Sequence, residues 1–202
     1  MTPRFGAVIT AMVTPFDEAG KLDLEGAAAL ARWLVANGSD GLVVTGSTGE
    51  VSVLPDAEHL AVWEAVREAV DVPLLAGSGT NDTAHAVELT ARAADHGMDG
   101  VLVVSPYYNR PSQAGIEAHF RAVAASTDLP VVLYDVPART GRAVSPEVVI
   151  RLAEQVDNVV GLKDAGGQVT TTAKVVAATP DDFEVYAGDD ALTLPMLAVG
   201  AV

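Results

Sequence analysis

Two hundred and two residues, half of them hydrophobic and with a formal net charge of −15, make a chain long enough to bury one sizeable core. The acidity argues against a nucleic-acid partner, because a phosphate backbone needs a cationic surface. The absence of cysteine excludes disulfides and thiolate metal sites. No apolar run reaches the roughly 18 residues that a membrane-spanning helix needs, and "MTPRFGAVIT" lacks a signal peptide's long apolar core. The expectation is a cytoplasmic protein without a membrane partner.

Short β-branched runs alternate with helical patterns along the whole chain. The first strand is predicted over 7–14, followed by a helix whose Leu30 and Leu34 share one face. A second strand, 41–45, runs into "VVTGSTGEVS". There Gly46 and Gly49 are expected to let the backbone turn tightly around Ser47 and Thr48, exposing hydroxyls and N–H groups that suit a carboxylate. The segment is neither a G-x-G-x-x-G fingerprint nor a Walker loop, which ends in G-K-[ST]. Taken alone, it equally fits a plain glycine-rich turn.

Trp63, Val66 and Val70 then mark one helical face, and a third strand is predicted over 72–76. The fourth, 100–105, ends in "SPYYNRPS", where Tyr107 and Tyr108 are expected to point different ways from a proline-stiffened loop. The fifth, 131–135, ends in "VVLYDVPARTG". It offers the phenol of Tyr134 for proton transfer and the fork of Arg139 for a carboxylate. In "SPEVVIRLAEQV", Ser145 is the expected N-cap and Pro146 the first helical residue.

The sixth strand, 159–163, ends in "VVGLKDAGG". A nucleophilic lysine must be neutral, and an ordinary one is neutral in only about one copy in 2,500 at pH 7. Burial at an apolar strand end lowers the pKa and can supply that form, and the free amine then attacks a ketone to make an imine. An amine ion-paired with Asp164 fits the position of Lys163 equally well. The seventh strand, 183–187, ends in "YAGDDAL", with Gly188 allowing close approach and Asp189 and Asp190 expected as helix caps. His59, His85, His96 and His119 fall in helical segments without metal-ligand spacing, so no metal is expected.

Seven βα units, about 25 to 35 residues each, suit either a doubly wound sheet or a (β/α)8 TIM barrel. Reactive residues at strand C-terminal ends favour the barrel. The tail "LTLPMLAVGAV" reads as a seventh helix entering an eighth strand, so the expectation is one domain over 1–202 that is a barrel truncated after its seventh βα unit.

"GSTGE", "PYYNRP", "YDVPARTG", "GLKDA" and "AGDDA", in this order, resemble the dihydrodipicolinate synthase / N-acetylneuraminate lyase family of class I pyruvate aldolases. The resemblance implies a Schiff base between pyruvate and Lys163, proton shuttling by Tyr134, and a hydroxyl relay through Ser47 and Tyr108. Tyr108 would reach into a neighbouring subunit. It also implies that Thr48 holds the pyruvate carboxylate and that Gly188 offers backbone polar groups. No cofactor is implied, and self-association as a homotetramer built from dimers is. The arginine in "YDVPARTG" resembles the synthase branch, so Arg139 implies L-aspartate 4-semialdehyde as the second substrate. A sister aldolase or dehydratase acting on a sugar acid, and a non-catalytic barrel fragment, are the competing expectations.

Overall fold

The computed structural model describes residues 3–202. Seven strands are present: β1 (Ile9–Ala11), β2 (Gly41–Val44), β3 (Leu74–Gly77), β4 (Gly100–Val104), β5 (Val131–Asp135), β6 (Val159–Asp164) and β7 (Glu184–Ala187). They are hydrogen-bonded neighbours in chain order, β1 to β7. The β1–β2, β2–β3, β3–β4, β5–β6 and β6–β7 pairs are parallel. Every residue of β2, β3, β4 and β5 is buried. This is what near-continuous apolar runs predict for parallel strands covered on both faces. The predicted strands are all found; the largest departure is β1, shorter than 7–14.

Each strand is followed by helix: α1 (Leu24–Ala36), α2 (Asp56–Ala69), α3 (Thr83–Arg92), α4 (Gln113–Ala124), the one-turn α5 (Pro137–Thr140), α6 (Pro146–Gln155), α7 (Val169–Ala178) and α8 (Thr193–Ala198). This is the expected β/α repeat, seven units long. After α8 the chain turns at Gly200, with φ +102°, and the Val202 N–H donates to the Val185 carbonyl of β7 at 2.9 Å.

Two compact units divide the chain. One comprises the residues up to Ser78 together with Leu89–Leu102. Its core holds Trp63 and Val66 of α2 with Leu42 and Leu74, all fully buried. The other comprises Gly79–Glu88 and Val103–Val202, with Phe120, Leu133 and Leu152 at its centre.

Side-chain caps mark the starts of α1 and α4. The Asp23 side chain accepts the Gly26 N–H at 2.8 Å to cap α1, and Ser112 accepts that of Gly115 to cap α4. Ser145 departs from expectation. It occupies the N-cap position of α6 with Pro146 following, but its side chain makes no capping bond. Its backbone N–H instead donates to the Gln113 side chain at 2.8 Å. Among the described residues, no helix is long and apolar enough to cross a membrane.

His119 of α4 is 2% exposed and contacts the Thr83 hydroxyl through Nδ1 at 2.9 Å, while its Nε2 is buried without a partner. Burial pushes its pKa down to about 4, against a smaller opposing pull from Asp82. The unfolded chain therefore binds this proton first, and the stability held above the ordinary value near 6.5 is lost as pH falls through about 4. The loss from this group is about 2 kcal/mol by pH 5. His119→Gln carries no such titration, so its stability deficit relative to wild type should shrink by that amount between pH 7.5 and pH 5 in urea titrations. A deficit that stays constant or widens removes His119 as the acid-sensitive group.

Candidate active site

Side chains alternate along a strand, so consecutive residues face opposite sides of the sheet. At the end of β6 this separates Lys163 from Asp164. The Asp164 carboxylate is buried on the helix side, taking the Gly166 N–H on Oδ1 at 2.8 Å and the Thr172 hydroxyl of α7 on Oδ2 at 2.7 Å. It is not the lysine's ion-pair partner, which closes one of the two readings left open by the position of Lys163.

Lys163 and Tyr134 are register partners on β6 and β5, so they share the opposite face. The Lys163 Nζ lies 4.7 Å from the centroid of the Tyr134 ring, in cation–π range. Tyr134 is only 7% exposed and Lys163 is partly buried beside it. Desolvation lowers the pKa of Lys163, the Asp190 carboxylate opposes that by raising it, and the Arg139 guanidinium adds to the lowering. This is the direction a nucleophilic amine requires.

Asp189 and Asp190 therefore differ. Asp189 is a cap as expected, accepting the Ala191 N–H at 3.1 Å. Asp190 is not: it is exposed, and its charge acts on Lys163. Reading the pair as two caps missed this. No local sequence signal separates the two, because the effect of Asp190 on Lys163 depends on tertiary placement.

The Arg139 side chain is exposed, its guanidinium in no hydrogen bond or ion pair among the described residues, on the short loop that α5 opens after β5. Gly188 lies at the end of β7, where a Cβ would come within 2.9 Å of that of Ala165. Its N–H already donates to the Asp164 carbonyl at 2.8 Å. Only its carbonyl is left for a ligand, which corrects the expectation that both its backbone groups are on offer. Tyr107 is half-buried, and burial raises its phenol pKa. Tyr108 is 87% exposed, and its φ of +68° is left-handed, uncommon without glycine. The two tyrosines do point different ways.

Ser47 and Thr48 belong to the other unit. Ser47 is half-buried and Thr48 exposed, within a tight turn that the Val51 N–H closes by donating to the Gly46 carbonyl at 3.2 Å. The left-handed positions of this turn are not the glycines. They are Thr45, with φ +52°, and Glu50, with φ +64°. The strained, β-branched Thr45 is held by Trp63, whose indole N–H donates to its hydroxyl at 2.7 Å. Gly49 serves close approach instead, since a Cβ there would lie 3.0 Å from the Thr45 Cα.

A family model described as the dihydrodipicolinate synthetase family matches residues 4–202. The curated 4-hydroxy-tetrahydrodipicolinate synthase of Bacillus subtilis (strain 168) is 49% identical over 199 residues, covering 98% of this chain and 69% of that protein. The crystal structure of a dihydrodipicolinate synthase from Bacillus anthracis aligns with a TM-score of 0.96 at 46% identity, over 99% of this chain and 69% of the other. The Cyanidioschyzon merolae protein, solved with lysine bound, gives 0.97 at 46% identity with the same coverage. The chain thus spans about two thirds of the length of these relatives.

On the helix side of the same strand ends, Asp135 is 8% exposed and accepts the Val144 N–H at 3.1 Å. Burial pushes its pKa up to about 6, Val144 pulls it down, and the nearby Asp164 charge raises it further. The folded state holds this proton more tightly than the unfolded chain. The stabilisation is therefore complete below the ordinary value near 3.8 and is lost as pH rises through about 6. Asp135→Asn keeps an oxygen for Val144 without the charge. It should be more stable than wild type at pH 8, by about 3 kcal/mol at most, with the gain gone at pH 4. Chemical denaturation at the two pH values measures it, and an equal effect at both would remove the buried charge as its cause.

Proposed function

Because the chain belongs to the dihydrodipicolinate synthetase family, we propose that it condenses pyruvate with L-aspartate 4-semialdehyde to give 4-hydroxy-tetrahydrodipicolinate through an imine on Lys163. The observation that carries this reading is the Lys163 amine, desolvated, without a carboxylate partner and set against the Tyr134 ring. A lysine in that setting is a nucleophile in waiting rather than a structural ion pair.

The neutral amine adds to the pyruvate ketone, and water leaves to give the iminium. The iminium withdraws electrons from the adjacent methyl group, a proton leaves, and an enamine forms. The enamine carbon attacks the aldehyde carbon, whose oxygen takes up a proton. The amine of the bound semialdehyde then displaces Lys163, closing the ring and returning the lysine to its free form. Tyr134 is the proton shuttle, with Ser47 and Tyr108 completing the hydroxyl relay. Thr48 holds the pyruvate carboxylate, Arg139 that of the semialdehyde, and Gly188 offers its carbonyl. The exposed Tyr108 suits insertion into a neighbouring copy of the chain, so the working form is a self-associated homo-oligomer, and its place of action is the cytoplasm.

The exposed, unpaired Arg139 favours the semialdehyde over a sugar acid, because a guanidinium fork matches a carboxylate with two parallel hydrogen bonds. Borohydride reduction of the full-length protein with pyruvate should leave a covalent adduct on the peptide containing Lys163, seen by mass mapping. Tyr134→Phe should lower kcat by roughly 10²- to 10⁴-fold, the range of a general acid/base. Parallel kinetics with the semialdehyde and with 2-keto-3-deoxy sugar acids test the substrate. An unmodified Lys163 peptide ends the imine reading, and faster turnover of a sugar acid ends the synthase reading.

A further inference from the structure

The loop that carries Arg139 leaves β5 after Asp135 and returns at Val144. Its regular structure is the single turn α5, in which the Arg139 and Thr140 N–H groups both donate to the Val136 carbonyl. One helical turn does not hold itself in water. An arginine that must meet a carboxylate with two hydrogen bonds needs its loop fixed from elsewhere.

The fixing points lie at the neck of the loop. The buried Asp135 Oδ1 takes the Val144 N–H at 3.1 Å. Gln113, the first residue of α4, grips both sides of Val144. Its side-chain N–H donates to the Ala143 carbonyl at 2.8 Å, and its oxygen accepts the Ser145 N–H at 2.8 Å. Three successive residues, 143 to 145, are thereby each held by a side chain from outside the loop. Above the neck, Gly141 adopts a left-handed φ of +77°, and a Cβ there would lie 2.7 Å from the Arg110 Nε. The guanidinium of Arg110 thus lies close beside Gly141.

The neck is also coupled to the strand ends that bear the chemistry. Asp135 and Asp164 are register partners, each one residue beyond Tyr134 and Lys163. Their oxygens face the same small gap. A Cβ on Gly166 would sit 3.0 Å from Asp164 Oδ1 and 3.5 Å from Asp135 Oδ2. The cleft that they line holds no cationic side chain. Asp135 thus ties the end of the strand that bears Tyr134 on its other face to the loop carrying Arg139.

We propose that Asp135 and Gln113 are positioning residues for the aldehyde-binding step: they clasp the neck of the arginine loop and hold the Arg139 guanidinium where the semialdehyde carboxylate docks. This inference rests on the reading of Arg139 as that carboxylate's ligand. It assigns the clasp to the second substrate alone, because pyruvate meets Lys163 before the loop is needed.

Steady-state kinetics on the full-length protein, varying each substrate separately, provide the test. Asp135→Ala and Gln113→Ala should each raise the KM for the semialdehyde by on the order of tenfold, since small misplacements of a docking group are costly. The KM for pyruvate and the rate of borohydride trapping with pyruvate should stay within about twofold. Asp135→Asn, which keeps an oxygen for the Val144 N–H, should restore the semialdehyde KM. An unchanged semialdehyde KM in Asp135→Ala and Gln113→Ala, or a parallel rise in both KM values, overturns the clasp. Gln113 is partly exposed, so if Asp135→Ala does not fold, Gln113→Ala alone decides. Arg139→Ala separates the two ideas. If it raises the semialdehyde KM and the clasp variants do not, the clasp alone falls. If it leaves that KM unchanged, the arginine reading falls and the clasp with it.

Discussion

The two-residue period of a single strand governs this molecule's chemistry. Lys163 and Asp164 are neighbours in sequence, and in a loop or a helix end their opposite charges would meet. On β6 they cannot. Pleating sends the carboxylate to the helix side, where Gly166 and Thr172 satisfy it, and leaves the amine on the face of Tyr134. A one-residue slip of β6 would exchange them, burying the amine among helices and presenting a carboxylate to the ketone. The register with β5, Tyr134 to Lys163 and Asp135 to Asp164, therefore matters more to reactivity than any single contact of the lysine.

With Asp164 removed, the charges acting on the amine are Asp190 and Arg139, and they oppose one another. The carboxylate favours the ammonium and the guanidinium disfavours it, so desolvation decides the direction. That balance suits a group which must be neutral to attack and positive as an iminium. A carboxylate in direct contact would hold the ammonium too firmly, whereas one acting from an exposed position leaves burial in control.

The fold was legible because its signal is redundant. Seven apolar runs, each followed by a helical pattern, gave the strand order without any single boundary being needed. The placement of the candidate residues was legible too, since Tyr134 and Lys163 do stand at strand C-terminal ends. What could not be read was how backbone groups are already spent. Gly188 looked like a free backbone donor, yet the Asp164 carbonyl takes its N–H. Gly46 and Gly49 were read as letting the backbone turn tightly, yet it is Thr45 and Glu50 that take the left-handed conformations there. Trp63 holds Thr45 from 18 residues away, and no local propensity encodes that bond. Ser145 was placed correctly at the N-cap position, but its side chain makes no capping bond, and its N–H is taken by Gln113, 32 residues earlier.

These failures have one cause, and it bears on how the site is built. Propensity and periodicity report on bonds within an element. The loops around Lys163 are held by bonds between elements. Asp135 and Gln113 lie on different segments, and each bonds the neck of the Arg139 loop from outside it. The reactive amine needs only a strand and a hydrophobic wall, which sequence patterning supplies. Recognition of a second substrate needs a guanidinium fixed in direction, and a nine-residue loop cannot supply that by its own propensities. The part of the candidate site that is hardest to read from sequence is thus the loop whose geometry depends on bonds from other segments.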